Sequence, residues 1–345
     1  MTEFVKLAVA AALLTAASAA PALAQNTPTE VPPVIDVHFH AMLESPPGMP
    51  PACPNQSQFL ASDWIDGPEG GNGWSTEDCT PKLYPSQPGE YVKDITDEMK
   101  RLNVTAVVFG DAASVARYEE LAPGRVIPGT GFSAGPDASP QAEQLRRLEV
   151  AFTEGGFKVM GEIGAQYHGL DPSDAWFEPY LALAEEFDIP VGIHTGLAPP
   201  GTPYGCCPDF SVSLGNPLRL EPMLKRHPKL RVWMAHAGWP YLAETKAILY
   251  MYPQVHADVS VINWIIPRQE FHDYLQALVT AGLGDRLMFG SDQMVWPESI
   301  TLAIEGVDSA AFLTPEQKRA IFHDNAARFL KLSDAPAGQG GAGSK

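Results

Sequence analysis

The chain has 345 residues and a formal net charge of −18, from 23 Lys plus Arg against 41 Asp plus Glu. Such an acidic balance repels phosphate backbones and anionic membrane surfaces, which argues against nucleic acid and anionic lipid as partners. The length suits one large α/β domain or two ordinary ones, and composition does not separate the two.

The first 24 residues read as an export signal. Lys6 lies near the start, an apolar run extends from Leu7 to Ala20, and small residues at Ala22 and Ala24 place a cleavage before Gln25. The run is alanine-rich and too short to span a bilayer, and no later stretch reaches the ~20 apolar residues that spanning requires. The mature chain is therefore expected to carry no membrane span and to be periplasmic or secreted. An uncleaved membrane anchor is the competing reading of the same segment.

After the signal, short β-branched runs alternate with helix-period segments. The expected strands are Val34–Val37, Ala106–Phe109, Val126–Gly129, Phe157–Glu162, Val191–His194, Val232–His236, Val255–Val259 and Leu287–Ser291. The expected helices are Tyr91–Leu102, Ala113–Leu121, Ser139–Glu154, Ala175–Phe187, Pro217–Arg226, Tyr241–Met251 and Gln269–Ala281. Alternation of this kind means parallel strands joined by helical crossovers. Eight units over residues 25–334 fit a distorted (β/α)8 TIM barrel, whose functional groups sit at the carboxyl ends of the strands. A doubly wound open sheet usually carries a glycine-rich phosphate loop after its first strand, and here that strand ends in HFHAM. The tail 335–345, APAGQGGAGSK, is low-complexity and expected to be disordered.

Two connections exceed the ~15 residues a compact domain ordinarily needs, and such loops are usually functional lids or disordered. Met42 to Glu90 carries Cys53 and Cys79, and Leu197 to Gly215 carries Cys206 and Cys207. All four cysteines follow the signal and would mature where disulfides persist. Adjacent residues rarely reach disulfide geometry with each other, so Cys206 and Cys207 are expected to serve Cys53 or Cys79 and tie the two loops together. A Cys53–Cys79 pair, restraining the unfolded chain by roughly 3 kcal/mol, is the other possibility. Without CxxC spacing, a cysteine metal site is not expected.

Metal-binding residue types collect at the predicted strand ends. In VIDVHFHAM, His38 and His40 share one strand face while Phe39 takes the other, which suits chelation of one ion. Strand four ends at Glu162, strand five at His194, strand six at His236, and strand eight runs into Asp292. Four imidazoles and two carboxylates suit a divalent borderline metal, zinc first, with manganese or iron as alternatives and one or two ions open. Of the other histidines, His168 follows strand four closely enough to reach the site. His256 reads as a core residue, and His227, His272 and His323 as solvated or capping. Lys158 shares parity with Glu162 but sits ~13 Å deeper, so a carbamate is not expected there. Trp239, Trp264 and Trp296 follow strands six to eight and could wall a pocket, or pack barrel against helices. Arg219 and Arg268 are candidate clamps for an anionic substrate, or surface arginines. For Asp292 the competing reading is a helix cap.

IDVHFH at 35–40, GIHTG at 192–196, RHPKLRVWMAHAGWP at 226–240, FGSD at 289–292 and HDNAARFL at 323–330 together resemble the amidohydrolase superfamily. Within it, the chain is most similar to the amidohydrolase-related group (amidohydrolase 2) that includes aminocarboxymuconate-semialdehyde decarboxylase. That resemblance implies a distorted barrel with metal held by His38, His40, His194 and Asp292, and with His236 as a second-metal ligand or a catalytic imidazole. It also implies that homodimers are common. Glu162 departs from the one-metal decarboxylase pattern and looks like the bridging Glu of two-metal members; a charge-balancing carboxylate is the alternative.

The expected chemistry is a metal-activated water whose proton passes through Asp292, with His236 polarising the substrate carbonyl or holding a second ion. The expected activity is that of an exported metal-dependent hydrolase of an amide, ester or lactone. The alternatives are a non-oxidative decarboxylase or hydratase of an aromatic-derived acid, and a non-catalytic exported metal-binding domain.

Overall fold

A computed structural model describes residues 32–44, 51–55, 80, 83–87, 89–134 and 138–332. The expected export signal, the tail, Cys79 and much of the loop after strand one lie outside the described residues. Among the described residues, no helix is long and apolar enough to cross a membrane.

Eight parallel strands follow in chain order around one sheet. They are β1 (Val34–His40), β2 (Val104–Phe109), β3 (Val126–Thr130), β4 (Val159–Ile163), β5 (Val191–Ile193), β6 (Val232–Met234), β7 (Val255–Asp258) and β8 (Leu287–Met288). The sheet curls until β8 meets β1: Val37 N–H donates to Phe289 O and His40 N–H to Gln293 O, each at 3.0 Å. The expected (β/α)8 TIM barrel is the observed fold, and every predicted strand overlaps an observed one.

Helices cross over outside the barrel: α1 (Tyr91–Arg101), α2 (Ala112–Leu121), α3 (Gln141–Thr153), α4 (Glu178–Glu186), α5 (Glu221–Arg226), α6 (Leu242–Met251), α7 (Arg268–Thr280) and α8 (Ser299–Asp308). In α1 the buried residues Tyr91, Val92, Ile95, Thr96 and Met99 recur at helical spacing, so one stripe faces the sheet while charged residues face water. Helix α2 starts where the Asp111 side chain accepts from Ala113 and Ser114 N–H at 2.9 and 3.0 Å. Several details differ from expectation, including the helical segments Pro315–Arg319 and Asn325–Phe329, which were not anticipated. The 217–226 segment is a 3-10 turn, Pro217–Leu220, running into α5, and α8 was not anticipated.

The barrel interior is apolar below the rim. Ile35, Val37, Val107, Ile127, Val159, Trp233 and Met288 converge there, and Ala326, Ala327 and Phe329 of the C-terminal helix close the strands' amino-terminal end. That helix is pinned by Asn325 Nδ2, which donates to Gly284 O at 2.9 Å and Leu287 O at 2.7 Å. The Trp233 indole fits because its neighbours lack side chains: a Cβ on Gly161 would meet Trp233 Cη2 at 3.0 Å, and one on Gly192 would overlap the ring.

The expected link between the long loops through Cys206 or Cys207 is not formed. These two cysteines pair with each other, with Cα atoms 3.8 Å apart. A tight turn holds them, closed by Cys207 N–H donating to Thr202 O at 3.2 Å. Cys53 is disulfide-bonded as well.

Because Gly192 faces the Trp233 ring in a close-packed interior, Gly192→Ala should destabilise the barrel by ~1–3 kcal/mol. The measurement is the chemical-denaturation midpoint, and an unchanged midpoint would show that the indole has room to move.

Candidate metal centre

The carboxyl ends of the strands bring six predicted residues together. Strand alternation sends Phe39 outward against Tyr118, with ring centroids 5.9 Å apart, and leaves His38 and His40 facing the rim. His38 is buried, while His40 is 27% exposed and marks the open side. Asp292 Oδ1 lies 3.3 Å from His38 Nε2 and 3.0 Å from His40 Nε2. Glu162 Oε2 lies 3.4 Å from His38 Nε2 and 3.9 Å from His40 Nε2, and its other oxygen, Oε1, is 3.5 Å from His236 Nε2. The His194 ring stands 4.9 Å from that of His236.

Backbone conformation places two of these side chains. His236 and Asp292 both adopt left-handed conformations, with φ of 57° and 55°, costing on the order of 1 kcal/mol each for residues with a Cβ. Each is held by a hydrogen bond to the neighbouring strand. His236 N–H donates to Asp258 Oδ1 at 2.9 Å, and Asp292 N–H donates to His38 O at 3.0 Å.

Asp258, at the end of β7, escaped the sequence reading. Its Oδ2 accepts from His38 Nδ1 at 3.0 Å and from Trp233 Nε1 at 3.1 Å. Its Oδ1 accepts from the Ser260 backbone N–H at 2.9 Å and from Ser260 Oγ at 2.5 Å. His236 Nδ1 in turn donates toward Ser260 O and Oγ, at 3.2 and 3.0 Å. Both imidazoles thus carry their proton on Nδ1 and present Nε2 to the centre, an arrangement that orients histidine ligands of metals.

The carboxylates at the centre favour a cation beside them, a proton on the imidazoles when no metal ion is bound. Burial alone would drive the His38 pKa down, but Glu162, Asp292 and Asp258 reverse the sign and hold it well above the ordinary histidine value. His236 is likewise raised, against burial, by Glu162 and Asp292. Burial pushes Glu162 and Asp292 up, yet the surrounding imidazoles hold Glu162 well below the usual carboxylate range and Asp292 at about 2. His194 is brought down to about 4 by burial. The carboxylates call for positive charge at the centre.

A divalent ion fits what the residues leave open. His38 Nε2, Glu162 Oε1 and His194 Nδ1 are buried without hydrogen-bond partners. Among the described residues, two ligand groups have their donor atoms mutually within 4.8 Å: His38, His40 and Asp292, and His38, Glu162 and His236; the predicted ligand His194 belongs to neither. Imidazole and carboxylate together suit zinc, manganese or iron.

Residues 35–332 match the amidohydrolase family. The chain belongs to that family. A stretch of 114 residues, 33% of the chain, is 24% identical to protein fluG of Emericella nidulans, and the match spans only 12% of that protein's length. Two solved structures share the fold. 5-Carboxyvanillate decarboxylase from Sphingomonas paucimobilis has a TM-score of 0.53 at 13% identity, covering 87% of this chain and 99% of its own. 4-Oxalomesaconate hydratase from Rhodopseudomonas palustris has a TM-score of 0.53 at 15% identity, covering 86% and 95%.

Several other predicted residues sit elsewhere in this amidohydrolase. Trp264 is buried and donates its indole N–H to Ser291 O at 2.9 Å, with Trp296 packed 6.3 Å away, so both serve barrel-to-helix packing. Trp239 turns its indole N–H to Glu270 at 3.0 Å. Arg219 pairs with Asp171 at 3.2 Å, and Arg268 donates to Asn263 O at 2.6 Å, so neither turns to the centre. His168 is exposed, whereas Tyr167 before it reaches His194 Nε2 at 3.2 Å. His227 is the C-cap of α5, its backbone N–H donating to Met223 O at 2.9 Å, and its ring is buried rather than solvated, between Glu178 and Glu185 at 2.9 and 3.0 Å. Asp292 caps no helix, since α8 begins at Ser299. The aromatic neighbours of the centre are Phe109, edge-on to His40 at 4.7 Å, and Tyr167, edge-on to His194 at 4.9 Å. Phe109 was legible as the aromatic end of strand two.

Asp258→Asn keeps the shape but removes the charge that holds the His38 tautomer. Metal affinity, measured by chelator competition, should fall ~10–100-fold with stoichiometry retained. Equal affinity in the variant would mean that Asp258 only fills space.

Proposed function

We propose that this amidohydrolase is a metal-dependent hydrolase that attacks the carbonyl of an amide, ester or lactone with a metal-activated water. The carrying observation is Glu162, whose Oε2 faces His38 at 3.4 Å while its Oε1 faces His236 at 3.5 Å. A carboxylate with its two oxygens turned to two imidazole groups is suited to joining two cations. His38, His40, Asp292 and Glu162 Oε2 would hold one, and Glu162 Oε1, His194 and His236 the other. A bound divalent ion supplies positive charge and brings the pKa of coordinated water toward ~7.

The chain's own groups perform the proton work. Asp292 is ionised and lies at the open side beside His40, where it can take the proton of the attacking water and return it to the leaving group. His194 and His236 stand ring against ring at 4.9 Å, and Phe109 and Tyr167 set their rings edge-on to His40 and His194. The apolar, alanine-rich segment with small residues at Ala22 and Ala24 supports export, which would put this activity in the periplasm or outside the cell.

The second reading, a non-oxidative decarboxylase or hydratase of an aromatic-derived acid, draws on the Glu162–His236 contact. With a single ion on the β1 side, His236 would stay free of metal beside Glu162, whose charge raises the His236 pKa against burial, and could deliver a proton to carbon. The two solved structures named above carry such activities in their own right.

Metal analysis of the purified chain separates the readings. Close to two ions per chain supports the hydrolase, falling to one in Glu162→Gln, and close to one in the wild type supports the decarboxylase or hydratase. His38→Ala should lose metal and turnover on a panel of esters, lactones and aromatic acids. Full activity in that variant would sink the ligand assignment.

A further inference from the structure

The loop after β5 carries Cys206 and Cys207, bonded to each other, on an exposed bend. A bond between neighbours closes a small ring around their shared peptide, so it fixes a local conformation rather than joining distant parts of the chain. The bend turns about the buried Thr202, whose carbonyl accepts from the N–H groups of Gly205 and Cys207, each at 3.2 Å. After Pro208 the chain comes back inward: Phe210 N–H donates to Cys207 O at 2.9 Å, and Ser211 N–H to Gln166 O at 3.3 Å. Cys207 therefore holds the bend through its N–H and the returning chain through its carbonyl.

The returning chain ends beside the metal centre. Phe210 is buried with its ring edge-on to Tyr167 at 5.2 Å, and Tyr167 is edge-on to His194 at 4.9 Å. Gln166, next to Tyr167, donates its amide N–H to Gly196 O at 3.2 Å, which ties the turn after β4 to the start of the same loop. One backbone hydrogen bond and two ring contacts thus lead from Cys207 to His194.

The disulfide-bonded cysteines differ in access. Cys53 is buried at 1% exposure, whereas Cys206 is exposed and Cys207 half-buried. Thiol–disulfide exchange starts at a sulfur that the attacking thiolate can reach, and exposed disulfides are the labile ones.

We propose that the Cys206–Cys207 bond is a redox switch for the aromatic wall of the metal centre: closed, it holds Phe210 against Tyr167, and reduction by a dithiol loosens that wall. One thiolate of the dithiol attacks the Cys206 sulfur, forming a mixed disulfide and releasing Cys207 as a thiolate that takes up a proton. The second thiolate of the dithiol then displaces Cys206, which leaves as a thiol, and the reductant departs as its own disulfide. Two electrons and two protons pass to the cysteine pair. The free Cys206–Cys207 peptide no longer has to present its carbonyl to Phe210. The switch itself does not depend on the function proposed above; only its effect on bound metal rests on that reading.

The test follows amide hydrogen exchange in the metal-free full chain, oxidised or treated with dithiothreitol, with alkylation and mass spectrometry to identify the opened cysteines. Label should enter Cys206 and Cys207 before Cys53. Exchange at Phe210 and Ser211 should become about tenfold faster, the worth of one ordinary hydrogen bond, while amides of β5 and β6 keep their rates. Oxidised glutathione should restore slow exchange. A Cys206→Ser, Cys207→Ser double variant should exchange fast with or without dithiothreitol, and after zinc loading should release zinc to a chromophoric chelator faster than the wild type. Slow exchange at Phe210 in the reduced chain or in the double variant, or label on Cys53 first, overturns the switch. Equal zinc release from the two chains overturns its link to the metal centre. A wild-type chain that binds no zinc, manganese or iron overturns the function proposed above, and the switch then stands or falls on exchange at Phe210 alone.

Discussion

Asp258 has no exposed surface, and a buried carboxylate without partners would cost several kcal/mol. Donors from three strand ends converge on it instead: His38 from β1, Trp233 and the His236 backbone from β6, and Ser260 beyond β7. Because every one of these donors is itself buried, removing the carboxylate would orphan them together. Burial pushes the Asp258 pKa up, but the imidazoles and Ser260 bring it below the ordinary carboxylate value, so it stays charged. The strand ends are thereby fixed relative to one another, and the same contacts decide which nitrogen of His38 and His236 faces inward.

The strained backbone at the rim follows from that anchoring. A left-handed conformation at a histidine or an aspartate persists only where the surroundings hold it. At His236 the holding group is Asp258, and at Asp292 it is the His38 carbonyl, so the strain at the ends of β6 and β8 is supported by β7 and β1. Below this layer the interior is apolar and close-packed around Trp233, which joins the two regions: its ring fills the space over Gly161 and Gly192 while its N–H serves Asp258. The apolar core and the polar rim therefore share one side chain. A change in barrel packing at Gly192 would be felt at His38 through Trp233 and Asp258.

Period and position made much of this legible from sequence. The β-branched runs located all eight strands, because parallel strands covered on both faces must be apolar and their helices must carry a 3.6-residue stripe. Residues that end a strand have few places to point, so His38, His40, Glu162, His194, His236 and Asp292 could be grouped before any coordinates. Asp258 also ends a strand but was passed over, since HAD in β7 offers a histidine and a carboxylate and His256 drew attention as a core residue. For the tryptophans and arginines the sequence left two readings open, and the contacts seen are packing and backbone or surface pairing. They lie beyond the strand ends, Arg219 in the 3-10 turn Pro217–Leu220 and Arg268 at the start of α7, where period and position do not fix a side chain's direction: Trp264 turns its N–H to Ser291 O and Arg268 donates to Asn263 O. The Cys206–Cys207 pair eluded a rule about ordinary disulfide geometry, because a local turn overrides it.

The number of ions the centre can take is constrained by His38. Its Nδ1 is committed to Asp258, so a single lone pair, on Nε2, must serve both ligand groups in which His38 takes part. One nitrogen cannot bind two cations. If His38 joins His40 and Asp292, the His236 side must complete its set from other residues, and those within reach are Glu162 Oε1 and His194. If His38 joins Glu162 and His236 instead, His40 and Asp292 keep only each other, and Asp292 is free to act as a base toward the open side. The choice made by one imidazole nitrogen therefore couples ion count to proton chemistry. With two ions, His236 would serve as a ligand; with one, its Nε2 would stay turned to Glu162 Oε1, the contact at 3.5 Å that raises its pKa against burial.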